Sequence, residues 1–127
     1  MKKVLILLLF TVVTNSCKQQ SNEFTLIGKW ICTEEHGSNG AEQFVRKIKN
    51  GDVLLFRTDS TVTDKQGIKG LYNLKGDRLH IDIQGNERFY ILYKIKDDFD
   101  KISLIPVSPE YQIICDEGCA FVYEKVN

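Results

Sequence analysis

After its first thirteen residues the chain has no second long hydrophobic run. A membrane-crossing helix takes about twenty apolar residues, so no later segment is long enough for one. Charge of one sign is also missing. The chain carries 17 Lys and Arg against 17 Asp and Glu, a formal net charge of zero, and no cluster of basic residues. That excludes the electrostatic footprint of a nucleic-acid binder. Histidine is scarce: His36 and His80 are the two. Neither adjoins a nucleophile motif such as G-x-S-x-G, and no glycine-rich loop opens a helix. Hydrolase and nucleotide-binding constellations are therefore absent, and the chain is not expected to be an enzyme. Helical periodicity is missing too. Only residues 41–49 suit a short helix, and there Val45 and Ile48 fit a strand equally. No repeat or low-complexity stretch divides the chain, and about a hundred residues beyond the N-terminus suit one domain.

What is present begins with Lys2 and Lys3, followed by ten residues, Val4 to Val13, of which only Thr11 is not apolar. This has the length and polarity of a secretory signal core. Thr14-Asn15-Ser16-Cys17 then resembles a bacterial lipobox. In such signals the chain is cut before the cysteine, whose thiol and new amino group are acylated. The small Ser16 fits the position before the cut; Thr14 stands where leucine is usual. The resemblance implies a signal peptide over residues 1–16, a lipidated Cys17 with a polar tether over 17–24, and a folded domain over 25–127. Two or three acyl chains hold a protein to a bilayer where one does so only marginally. Lys18 rather than aspartate after the cysteine points to the outer membrane of the cell envelope. Loss of Lys2 and Lys3 leaves 15 basic against 17 acidic residues, a mature net charge of −2.

From Leu26 onward the chain alternates in short bursts separated by turn chemistry. Asn39-Gly40, Asn50-Gly51, Gly76-Asp77, Gly85-Asn86, Asp97-Asp98 and Asp116-Glu117-Gly118 lie between them. Such residues supply the positive φ of tight turns. Short strands at regular spacing predict a sandwich or barrel. Period-two parity places Leu79, Ile81 and Ile83 on one face and His80 and Asp82 on the other. By the same rule Phe89, Ile91, Tyr93 and Ile95 share a face, as do Cys119, Phe121 and Tyr123.

L-I-G-K-W, with Gly28 and Trp30, resembles the opening of lipocalin-like barrels. The order of D-V-L-L-F-R-T-D-S-T-V-T and G-L-Y-N-L-K-G-D-R-L-H-I resembles the middle of lipocalin-like domains on bacterial lipoproteins. The resemblance spans about Leu26 to Val126. It implies an all-β fold: a small antiparallel lipocalin-like β-barrel of about eight to ten short strands. The family's threonine-aspartate-tyrosine motif is absent; Ser108-Pro109-Glu110-Tyr111 stands nearest to it. Lys125 occupies the place of the terminal arginine that packs on the tryptophan.

Three cysteines remain after Cys17. In an oxidising compartment a disulfide is expected, either Cys32–Cys119 or Cys115–Cys119, with Cys32 near Cys119 if the last strand closes on the first. Three cysteines and a histidine match no zinc spacing, so neither metal nor cofactor is expected. Glu34-Glu35-His36 reads as a solvated loop. Trp30, Phe56, Tyr72, Phe89, Tyr93, Phe121 and Tyr123 are the candidates to line a pocket for a small apolar or amphipathic ligand. The alternative is a filled barrel whose Thr33–Ala41 segment contacts a protein, as in inhibitor or immunity lipoproteins. The expected partners are thus a membrane, through the lipid, and either a small ligand or a protein; the chain itself is expected to be monomeric.

Overall fold

A computed structural model describes residues 23–115 and 118–127. The expected signal segment and Cys17 lie outside the described residues. The described chain is all β, with no helix: β1 (Gly28–Ser38), β2 (Gln43–Lys47), β3 (Val53–Phe56), β4 (Thr61–Thr63), β5 (Lys69–Lys75), β6 (Arg78–Ile83), β7 (Asn86–Ile95), β8 (Asp98–Pro106) and β9 (Cys119–Val126). Every pairing is antiparallel, and β9 closes on β1. Eight strands make a closed barrel; β2 is an extra strand attached to β1 alone.

Local chemistry sets the turns. Gln84 and Gly85 take φ of 54° and 82° between β6 and β7. Gly76 at 61° turns β5 into β6, and Asp97 at 61° turns β7 into β8. Two central residues at positive φ twist with the strands they join. Strict alternation then does the sorting. In β6, Leu79, Ile81 and Ile83 are buried while Arg78 is exposed and His80 and Asp82 are half-buried.

The barrel is filled by its own side chains. Trp30, Leu54, Phe56, Val62, Leu79, Ile81, Ile102 and Leu104 are each less than 2% exposed. Removing each aliphatic or phenyl side chain from water contributes about 1.5–3 kcal/mol, against chain entropy of comparable total size. Phe24, at the end of the expected tether, already packs against this core, its ring 6.3 Å from that of Trp30.

Residues 43–47, which suited a strand or a short helix, form strand β2, every one of them pairing with β1. Three expectations are corrected here. Glu34-Glu35-His36 is strand, not loop: it pairs with Lys47, Arg46 and Val45 on one side and Val122, Phe121 and Ala120 on the other. Phe89 and Tyr93 face outward. The inner residue of β7 is Leu92, 4% exposed and opposite Leu104, whereas Tyr93 is 53% exposed. Cys32 does not approach Cys119. Although β9 does close on β1, the register sets Cys32 opposite Tyr123 and Cys119 opposite Gly37. Five residues of strand separate the two levels, roughly 15 Å.

Candidate functional site

The expected pocket-lining aromatics divide. Trp30, Phe56 and Tyr123 are buried, and Tyr72 and Phe121 pack partly buried against them. Phe56 and Tyr72 meet edge to face at 4.8 Å, and the Tyr72 hydroxyl donates to the Arg57 carbonyl at 2.8 Å. Phe89 instead stacks on His80 outside the barrel, where Tyr111 meets it edge-on and the Arg78 guanidinium lies 4.9 Å over the Tyr111 ring. The set is therefore core and outer surface, not the wall of one cavity.

Trp30 is fully buried in the core. Its indole Nε1 donates to the Leu26 carbonyl at 2.8 Å, which satisfies the polar end of a fully buried ring. Lys125 Nζ lies 5.1 Å from the ring centroid and donates to the Thr25 carbonyl at 3.0 Å. Gly28 makes room for this arm. Its φ is +133°, and a Cβ there would lie 2.9 Å from Lys125 Cε.

A polar group holds the wall near Cys32. Asp52 Oδ2 accepts from the Tyr123 hydroxyl at 3.2 Å and from Arg88 Nη1 at 3.3 Å. Burial, then the Asp52 charge, pushes the Tyr123 phenol far above its ordinary pKa. Burial also raises the Tyr90 phenol and the Cys32 thiol above their ordinary values. At neutral pH these are two neutral phenols and a protonated thiol, groups that brace rather than attack. Asp52, Arg88 and Tyr90 were not candidates in the sequence. Tyr90 shares parity with Leu92, the one available signal; an inward arginine carries none.

The surface feature that stands apart is the β1–β2 hairpin. Beyond Cys32 a bulge shifts the β1–β9 register, and β9, β1 and β2 continue as a three-stranded flap. Glu34 and Glu35 pair across it with Lys47 and Arg46, and His36 Nε2 lies 2.9 Å from Glu34 Oε2. The Lys47 ammonium, then the His36 ring, holds the Glu34 carboxyl down at about 2, well below its ordinary value. The Asn39 side chain accepts from the backbone N–H groups of Ala41 and Glu42 at 3.0 and 2.8 Å, closing the turn. Phe44 lies across Gly37, where a Cβ would sit 2.5 Å from the ring.

Against this flap stands the disulfide Cys115–Cys119, with Gly118 N–H donating to the Cys115 carbonyl at 3.1 Å. The bridge takes the second of the two expected pairings and leaves Cys32 buried and free. Between flap and bridge runs a groove of about 290 Å³, lined among others by Gly37, Phe44, Val45, Ile105, Ile113 and Cys119. Its apolar rim is open to water: Phe44 is 43% exposed, Val45 59%, Ile113 67% and neighbouring Ile114 61%. A second hollow of about 580 Å³ mixes Leu26 and Leu74 with Ser60 and Asn73. Of the seven candidate aromatics only Tyr72 lines either one. A scan of protein-family models and a search of curated proteins each return no match to this chain.

Proposed function

We propose that this chain is a lipid-tethered interaction module of the bacterial cell envelope, with a filled barrel and a docking groove for an apolar segment of a protein partner. The observation that carries the reading is the groove itself. It lies outside a core whose largest side chains are fully buried, and its exposed rim residues come from β2 and the β8–β9 connection. Contiguous exposed apolar surface marks contact sites, and a filled eight-stranded barrel leaves little room for a ligand. The groove includes His36, Gly37 and Ser38, inside the segment Thr33–Ala41 singled out for protein contact. The tether reading rests on Lys2-Lys3, the apolar run and Ser16-Cys17.

The test is a photo-reactive residue at Ile113 of the full chain, illuminated in the envelope, with native mass spectrometry of the unmodified chain alongside. A discrete protein adduct, weakened several-fold by Val45→Glu, supports the groove. A small molecule that travels with the native chain and leaves on denaturation overturns it in favour of a barrel ligand.

A further inference from the structure

β2 has a neighbour on one side only, and all five of its residues are exposed. Ile48 N–H donates to the Thr33 carbonyl at 2.9 Å, and Asn39 N–H to the Glu42 carbonyl at 3.1 Å. Even-numbered residues thus turn their main chain toward β1. By alternation Gln43, Val45 and Lys47 turn N–H and C=O groups to the open edge. Such an edge invites another strand unless charge, proline or a covering segment guards it. Here the repulsion that cations on the strand would offer a second strand is weakened by carboxylates of β1: Glu35 faces Arg46, which stays largely exposed, and Glu34 faces Lys47. Glu42, exposed at the head of the strand, has no ion-pair partner among the described residues.

We infer that the occupant of this edge is β2 of a second copy, antiparallel about a two-fold axis beside Phe44. Residues opposite each other in an antiparallel pair share a face, so the two-fold must pass beside a residue and not between two. With Phe44 opposite its own copy, Gln43 falls opposite Val45 and Glu42 opposite Arg46. The outward-turned Gln43 and Val45 then form the hydrogen-bonded pairs, Phe44 forms a close aromatic pair, and each Glu42 meets a cation. Moving the axis to Val45 sets Glu42 against Ile48, and moving it to Gln43 sets it against Phe44; only the Phe44 register matches the charges. The product is one sheet running through both copies, with both grooves on the same face. This pairing uses the strand edge and does not rest on the groove reading. Five residues a side bury less than the roughly 1,000 Å² of a stable interface, so the contact is weak and is best trapped covalently.

The experiment is cysteine trapping in the full chain, in a bacterial envelope under mild oxidant, read on a non-reducing gel. Phe44→Cys faces itself across the axis and is expected to give a band of twice the chain mass. Leu71→Cys, on remote β5 and 63% exposed, measures chance collision and is expected to give several-fold less. Glu42→Lys added to Phe44→Cys is expected to lower the dimer band several-fold. Because loss of the Phe44 ring could loosen the hairpin, a chain with Glu42→Cys and Arg46→Cys keeps that ring and must trap the same dimer. The inference fails if neither variant exceeds Leu71→Cys, if the trapped species has another mass, or if Glu42→Lys leaves the dimer band unchanged.

Discussion

Trp30 is surrounded by three different physical effects. Its ring is buried, its N–H is satisfied by Leu26, and a cation covers it. The cation reaches the ring only because Gly28 has no side chain. Gly28→Ala is therefore expected to destabilise the fold by about 1–3 kcal/mol, from both the positive φ and the Cβ clash. Lys125→Ala should cost about 0.5–1 kcal/mol as an exposed cation–π contact. The two changes should not add, because deleting Lys125 removes what the new methyl strikes. Urea unfolding of the two single variants and the double variant measures this coupling; strict additivity would contradict the arrangement. The glycine-x-tryptophan opening and the cation at position 125 were legible in the sequence only through its resemblance to lipocalin-like barrels, in which an arginine stands where this chain has Lys125. The Asp52–Arg88–Tyr123 group was not. It joins the residue before β3 to β7 and β9, and Asp52 and Arg88 look like ordinary surface polar residues until closure brings them to Tyr123.

At the scale of the element, β6 and β7 show where alternation works and where it fails. β6 has apolar residues at one parity only, so its buried face could be read directly. β7 has them at both: Phe89, Ile91, Tyr93 and Ile95 against Tyr90 and Leu92. The polar ends Arg88 and Lys94 fall on the inner parity, so the pattern points the wrong way, and the pairing of Leu92 with Leu104 decides. The β1–β2 flap was hidden for a related reason. Its residues 34–36 are polar, and their partners lie in two other strands. The flap should respond to acid. Glu34 is held at about 2 in the folded chain, below its ordinary value. Its ion-pair contribution is whole above the ordinary carboxylate range near ~4.3 and is lost as pH falls toward 2. Glu34→Gln should lower stability at neutral pH, flatten the acid limb between about pH 4.5 and 2, and converge with the parent below it. High salt should shrink the difference. Urea midpoints across pH test this; a variant parallel to the parent throughout would show that the pair contributes nothing. The second support, Cys115–Cys119, closes a short loop and is worth about 2 kcal/mol by chain entropy. Replacing both cysteines with serine should cost no more than that and should leave near-ultraviolet signals from buried Trp30 and Tyr123 intact, since the bridge braces the groove and not the core. Loss of those signals would mean the bridge holds the barrel closed.

For the whole molecule, the sequence signals at the two ends concern different things. The proposed role of the N-terminal residues is address, and the barrel concerns shape. Closure of β9 on β1 removes the sheet edges of an open eight-stranded structure, leaving β2 as the one strand with a single neighbour among the described residues. A small, filled barrel with one open strand and an apolar groove among the described residues is suited to meeting another surface, and the proposed tether would make such meetings frequent by confining the partner search to a membrane. That coupling gives a prediction which separates address from fold. Cys17→Ser removes the proposed acyl acceptor and leaves every described residue unchanged in sequence. The variant is expected to lose incorporation of labelled palmitate and to leave the membrane fraction, while its urea midpoint stays that of the parent domain. If the label and the membrane association persist, Cys17 is not the anchor. If the urea midpoint falls as well, the N-terminal segment packs on the barrel, and Phe24 on Trp30 is where that packing would have to begin.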